Sequence, residues 1–487
     1  MKKKIIFFIS IIVLFFGVYK FAASKIYSDN DQESIISKLL PSNLKAILKQ
    51  TIFIIPSKNK EILILKNKVS EKEIYINEIQ EKLDRYVFHY KNAITNIENL
   101  PFKKDVTNYE FNIFDKKFNL VKFEQNILSN PKHKGAKSSV YLEEFQNNIF
   151  LATGDANIFY FDKDSLYNKN FVAKKIYSNL SKITKDKLFK ENWFGIKDVL
   201  IFNEKIYLSF TKEVSKNCFN TSILSSKVNY NYLEFREFFT NDFCVKKVDG
   251  EDFNAHQSGG RMTPVDNENI VFSHGDYRQR YLAQDTNFYF GKILKINTIN
   301  KKIKIISQGH RNPQGLQFVK SLNGLISSEH GPEGGDEINI INLGNDDIIQ
   351  NFGWPISSYG EHYNGGKENP NNSERYKKYP LYKSHEKYGF IEPIKYFLPS
   401  IAISEVLFLD DYYKKKINFN FVVGAMGKMN RKGNLGLHFF NYDLNKGEYL
   451  NEYYVNLGER VRDMIKLKTD GKILMYLETT GSLAFLE

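Results

Sequence analysis

"GLQFVKSLNGLISSEHG", residues 315–331, is the stretch on which the reading of the fold turns. It holds an apolar run (316–319), a polar turn with Asn323 and Gly324, a second apolar run, and a loop opening on Glu329, His330 and Gly331. Apolar runs this short, punctuated by Asn and Gly, read as paired strands rather than helices. The unit recurs as EEFQNNIFLATGD (143–155), DVLIFNEKIYLSFTK (198–212), MTPVDNENIVFSHGD (262–276), INFNFVVGAMG (417–427) and MIKLKTDGKILMYLETTG (464–481). The centres lie roughly 50–65 residues apart, except for one gap of about 95 that takes in a Gly/Tyr/Pro-rich insert at 356–395. One β unit per repeat at a steady period argues for a closed radial array, and six units for an all-β, six-bladed β-propeller over residues 106–487. Loops after equivalent strands emerge on one face, so GD (154–155), SHGD (273–276), SEHGP (328–332), GAMGK (424–428) and TTG (479–481) should meet at one rim.

The residues before the repeats differ in kind. Met1-Lys2-Lys3-Lys4 precedes IIFFISIIVLFFGVY (5–19), and apolar character resumes in FAAS (21–24). This is a charged segment followed by an apolar one, of signal-peptide or signal-anchor type, and residues 1–24 are expected to form an uncleaved membrane anchor. Cleavage near Ala22-Ala23-Ser24 is the alternative, and either way the rest of the chain is exported. Within 25–105, Ile62, Leu65, Val69, Ile76, Ile79, Leu83, Tyr86 and Tyr90 keep a heptad spacing that Lys72 alone breaks. That spacing predicts a helical or coiled-coil stalk ending at Pro101, able to support a homo-oligomer; one amphipathic helix packed on the next domain is the other reading. The two cysteines, Cys218 and Cys244, flank a segment that reads as a hairpin, and export favours a disulfide over two buried thiols. The net charge of +13 comes from lysines spread along the whole length, without the basic stripe of a nucleic-acid interface.

Four segments carry residue types suited to chemistry. In GHRNPQGLQF (309–318), Pro313 biases Asn312 toward extended backbone and Arg311 projects from a constrained loop, suited to an anionic ligand or to loop carbonyls. In SEHGPEGGDEIN (328–339), Gly331 permits close approach and Pro332 lacks an N–H; their carbonyls, with Asp336 and Glu337 nearby, are hard oxygen donors of the kind calcium takes, or simply a turn before a strand at 337–342. FNAHQSGGRM (253–262) supplies His256, either structural or a general base. In GERVRDMIKL (458–467), an extended 460–463 places Arg460 and Arg462 on one face, facing a polycarboxylate or solvent. Among familiar motifs, CxxC, HExxH, GxSxG and a phosphate loop before a helix are absent.

HQSGGRM (256–262), GKILKI (291–296), GHRNPQGL, SEHGPEGGDEIN, NFGWP (351–355) and RVRD (460–463), in this order, closely resemble the soluble quinoprotein glucose/sorbosone dehydrogenase family, which includes the aldose sugar dehydrogenases. The resemblance covers roughly 110–487 and implies a six-bladed propeller holding pyrroloquinoline quinone (PQQ) over calcium. It implies oxidation of an aldose-type sugar at C1 by hydride transfer to the quinone, with an unidentified electron acceptor, on the periplasmic side of the inner membrane. By matching position, His256 is the implied general base, and Arg311 and Asn312 the pair that contacts the quinone oxygens. Arg460 and Arg462 match the arginines that hold PQQ, with Lys428 as a further cofactor cation. Gly331 and Pro332 are the implied calcium donors, and Glu337 with the Phe352 carbonyl a second calcium site. The family's cofactor lysine aligns with Gly427, one place before Lys428, and Ala255 stands where an acid precedes the base. A propeller that keeps calcium but only binds carbohydrate or a protein is the alternative.

Overall fold

The computed structural model describes residues 43, 63–80, 97–105, 109–113, 116–129, 139–184, 195–248, 252–344, 348–363, 370–409, 417, 419–427 and 433–487. The chain divides into two units, Met1–Leu83 and Asp84–Glu487. In the first, residues 63–80 are α-helical, and the heptad positions Leu65, Val69, Ile76 and Ile79 are all exposed. The anchor segment and the remaining heptad positions lie outside the described residues. Among the described residues, no helix is long and apolar enough to cross a membrane.

The second unit is built around six four-stranded antiparallel blades, two of them joined into one sheet and some extended by short further strands. Blades 1 to 5 are consecutive in the chain, with inner strands Val140–Phe145, Ile196–Phe202, Gly259–Pro264, Pro313–Val319 and Ile403–Phe408. Blade 6 begins with Val461–Lys466 and takes its fourth strand, Lys116–Glu124, from the N-terminal side, Leu483 pairing with Phe123. Each inner strand packs against the next, and that of blade 6 returns to that of blade 1, so the ring closes. The sequence units centred on 143–155, 198–212, 262–276, 315–331, 417–427 and 464–481 each fall in a different blade. Alternating β-branched and aromatic residues fill the spaces between blades, as where Val319, Ile326 and Ile338 meet Val406, Phe421 and Val423.

One boundary differs from the sequence expectation. Asn99–Lys104 is a strand, not the end of a helix, and Pro101 sits inside it opposite Val172. The strand pairs along its length with the outer strand of blade 1 but with blade 6 only from Lys103, so the N–H that Pro101 lacks falls where no second partner strand runs. Its burial of Leu100 and Phe102 is the tertiary gain that overrides the helical pattern before it. Cys218 and Cys244 form a disulfide across the loop that carries the hairpin of blade 2.

The axis of the ring is plugged by one cation. Arg261, on the inner strand of blade 3, lies 3.1 Å from Asp198, 3.1 Å from Glu405 and 2.6 Å from Asp463. It also donates to the Gln314 carbonyl at 2.6 Å and lies over the Tyr141 ring at 5.0 Å. These five partners come from the inner strands of the other five blades. The acids also accept from neighbouring inner strands: Asp463 from Leu142 N–H (2.7 Å), Asp198 from Met262 N–H (2.7 Å) and Glu405 from Leu316 N–H (3.2 Å).

Candidate active site

A cavity of about 400 Å³ opens at one end of the ring, within the range of small-molecule sites. His256, Arg311, Asn312, Arg460 and Arg462 all line it, so segments spread over two hundred residues of chain converge; of the five expected rim loops, three reach it through Gly154, His330 and Met426, whereas 273–276 and 479–481 contribute no lining residue. Lys428 lies outside the described residues.

Blade 6 supplies the strongest charge. Arg460 Nε donates to Glu478 at 2.8 Å, and Arg462 Nη2 reaches both Glu478 oxygens at 2.8 and 2.9 Å. Both arginines therefore share a face, as the period of two demands. Burial alone would push the Glu478 carboxyl up, but Arg462 and Arg460 outweigh it and hold it at about 2. Arg460 also donates to the Met426 carbonyl at the end of blade 5.

Arg311 is fixed on every side. Its backbone N–H donates to Glu329 (2.8 Å), its Nη1 to the His330 carbonyl (2.9 Å) and its Nη2 to the Tyr363 hydroxyl (3.1 Å), and it lies 5.5 Å from the Trp354 ring. Asn312 Oδ1 accepts from Gly259 N–H at 3.2 Å and Gln314 at 3.1 Å, which orients its amide at the cavity wall. His256 sits in a turn pinned by Asn254, whose side chain accepts from His256 N–H at 2.9 Å, and its ring is exposed to the cavity.

The Gly331-Pro332 turn lies just behind this wall. His330 rather than Gly331 or Pro332 reaches the cavity, and it is the His330 carbonyl that faces Arg311. Burial first, and then the three cavity arginines, outweigh Asp336 and lower the His330 imidazole to about 4, so its ring is neutral. A Cβ on Gly331 would stand 2.2 Å from the Gly335 carbonyl, which explains the glycine. Asp336 is spent on the backbone: it accepts from Gly331, Ile401 and Ile403 N–H groups at 3.0–3.1 Å. Among the described residues no cluster of three His, Cys, Asp or Glu side chains is arranged to hold a metal, so a cation at this turn would rest on carbonyl oxygens.

Glu337 and Phe352 come together away from the cavity, and His385 spans them. Its Nδ1 donates to the Phe352 carbonyl at 3.0 Å, and its Nε2 is 3.3 Å from a Glu337 oxygen, an ion-pair separation rather than a directed hydrogen bond. Burial opposes a charge on His385, but Glu337 outweighs it and raises the imidazole above its usual range. The Glu337 carboxylate and the Phe352 carbonyl thus stand on either side of one imidazole.

Two wall residues escaped the sequence reading. Lys197 lies on the inner strand of blade 2, just before Asp198, and Glu478 lies in the turn just after the apolar Ile473–Leu477 strand of blade 6. For Lys197 a charge inside an otherwise apolar inner strand was the available signal, and it marks Asp198, Arg261, Glu405 and Asp463 as well; Glu478 carried no such signal. Counted together, the lining side chains present four lysine or arginine cations and one carboxylate, a wall suited to a small polyanion with several carboxylates.

Comparison with known proteins agrees with this geometry. Residues 184–484 match the family model described as Glucose / Sorbosone dehydrogenase. The aldose sugar dehydrogenase YliI of Escherichia coli (strain K12) is 31% identical over 163 residues, covering 31% of this chain and 40% of that protein. Quinoprotein glucose dehydrogenase B of Acinetobacter calcoaceticus is 32% identical over 130 residues, covering 20% of this chain and 26% of that protein. The chain thus spans less than half the length of either relative. The solved structure of the soluble aldose sugar dehydrogenase from Escherichia coli in the apo-form is similar in fold, with a TM-score of 0.56 at 20% identity over 76% of this chain and 99% of that one. Because the family model takes in well over half of its residues, this chain belongs to the glucose/sorbosone dehydrogenase family.

Proposed function

We propose that this chain is a PQQ-dependent, calcium-assisted dehydrogenase that oxidises an aldose-type sugar at C1. The observation that carries the reading is the convergence of His256, Arg311, Asn312, Arg460 and Arg462 on one cavity whose cations outnumber its carboxylates. When bound, PQQ supplies the hydride acceptor and calcium a Lewis acid beside it. Arg460 and Arg462 hold the cofactor carboxylates, and Glu478 keeps both guanidiniums aligned for that task. Arg311 presents a positive charge where negative charge develops on the acceptor, already oriented by Glu329, His330 and Tyr363, so little reorganisation accompanies the reaction. His256 is placed to take the proton of the sugar's C1 hydroxyl, which would prepare that carbon to give up hydride to the bound acceptor, with a lactone as the product. The carbonyls of Gly331 and Pro332, in a turn that Asp336 holds behind the cavity wall, would be the donors for calcium. The Lys-rich, apolar N-terminus supports an anchor on the periplasmic side of the inner membrane, and the heptad spacing supports a stalk that joins copies of the chain.

The test is dye reduction by the purified full-length protein with calcium and PQQ across a panel of sugars. Turnover that requires PQQ and an aldose supports the reading. Saturable sugar binding without turnover supports a binding propeller instead.

A further inference from the structure

The proposed function leaves unused a group of arginines that stands beside the cavity wall. Asp252 accepts from Arg280 Nη1 at 2.5 Å and from Arg375 Nη2 at 3.2 Å, and lies 3.6 Å from Arg278 Nε. Three guanidiniums thus share one carboxylate. The neighbouring Asp276 accepts from Trp354 Nε1 (2.8 Å) and from the Arg278 backbone N–H (2.7 Å). Counted with Arg311, the described residues here set four guanidiniums against two carboxyl groups. Arg278 is the least satisfied of them: its Nε is buried and makes no hydrogen bond among the described residues, while its side chain as a whole is 23% exposed. Burial, joined by Arg280, Arg375 and Arg311 against the pull of Asp252, lowers this guanidinium from its usual value. Positive charge gathered in this way is stabilised when a further anion arrives.

The group adjoins the turn of the proposed base. Tyr277 N–H donates to the Gln257 carbonyl (2.9 Å) and the Tyr277 carbonyl accepts from Asn254 N–H (3.0 Å), so Arg278 leaves the chain directly beside the turn that carries His256. Tyr277 and Arg278 are both in left-handed backbone (φ 52° and 69°), a strained conformation for residues other than glycine, of the kind that gathers at functional sites. Tyr363 lines the cavity, and the Arg278 and Arg311 guanidiniums both lie over its ring, at 5.6 and 5.8 Å. Tyr363, Arg375 and Tyr379, whose ring lies 5.7 Å from Arg280, all come from the Gly/Tyr/Pro-rich insert at 356–395. We propose that Arg278 and Arg375, backed by Arg280, bind an anionic group of the sugar, a carboxylate or a phosphate remote from C1, so that the preferred substrate is an acidic aldose. This rests on the dehydrogenase reading above. Guanidiniums take either anion as a forked pair, and the excess positive charge draws such a sugar toward the cavity while C1 lies at His256.

The experiment compares glucose, glucuronic acid and glucose 6-phosphate on the full-length protein, by dye reduction with PQQ and calcium and by calorimetric titration without added PQQ. Wild type is expected to show a kcat/KM for at least one acidic sugar about tenfold or more above that for glucose, and to bind that sugar more tightly, both preferences shrinking as salt is raised. Whether the carboxylate or the phosphate is preferred tells which anion the arginines take. Arg278→Gln is expected to reduce the preference at least about tenfold in both measurements. Arg375→Gln, on the helix Pro370–Lys378, is expected to act in the same direction and decides the matter if Arg278→Gln fails to fold. Glucose turned over within twofold of both acidic sugars, or a preference that these substitutions leave intact, overturns the proposal alone. If no sugar is turned over, the dehydrogenase reading fails; acidic-sugar binding that Arg278→Gln weakens then still supports the anion site, and its absence overturns that site as well.

Discussion

His256 and Glu478 divide the labour of the cavity between chemistry and binding. Removing the imidazole takes away a base without disturbing the arginines, so His256→Ala should lower dye reduction by about 10²–10⁴-fold while PQQ binding persists, as turnover and absorbance titration can show. Glu478 is a different case because two buried guanidiniums depend on it. Glu478→Gln should cost about 3–5 kcal/mol at pH 7, read by urea unfolding, since it strands those charges. The sign with pH follows from its lowered carboxyl: the stability it contributes is present above its usual value and is lost as pH falls from about 4.5 to about 2. Wild type should therefore lose stability across that window more steeply than Glu478→Gln. At this scale the sequence revealed much: His256, Arg311, Asn312, Arg460 and Arg462 were nameable from their loops. Glu478 was not, because nothing in LETTG announces that its carboxylate turns toward two arginines that precede it by only 16 and 18 residues.

Inner strands have a task beyond pairing, because Arg261 touches every other blade. With Arg261→Met, three buried acids face one another. Burial first, and then each other's charge against the pull of Arg261, raise Asp198 to about 7 and Glu405 to about 8. The folded chain thus holds protons that the unfolded chain releases near pH 4, so this cluster lowers stability as pH rises from about 4 toward 8. Asp198→Asn should flatten that slope in urea unfolding followed from pH 5 to pH 8. Arg261→Met should cost about 3–5 kcal/mol at pH 8 and less at pH 5, where the acids take up protons. The strands themselves were legible from short apolar runs, but the plug was not. A period of two tells that a charge in DVLIF or SEVLF points inward, yet only ring closure says that the inward side of all six strands is the same place. Pro101 misled for a related reason, since a heptad pattern ending at proline is a sound helix boundary until a sheet edge recruits the next residues.

Closure of the whole ring depends on the N-terminal side of the chain. Lys116–Glu124 completes blade 6, burying Phe118 and Phe123, and Asn99–Lys104 bridges that strand to blade 1. Deleting residues through Glu124 should abolish cooperative thermal unfolding, whereas a chain starting at residue 97 should keep it, as calorimetry would record. The number of blades was countable from the repeats, but the strand that locks the ring carries no repeat signature, because it is one strand set apart from its sheet by more than three hundred residues. The ring in turn brings loops of separate blades to one cavity, which is why the function rests on the fold as a whole. The most direct measurement is an absorbance titration of the full-length protein with PQQ in the presence of calcium. Saturable one-to-one binding that Arg462→Ala weakens at least about tenfold is the expected result; no saturable binding, or undiminished binding by Arg462→Ala, would contradict the account.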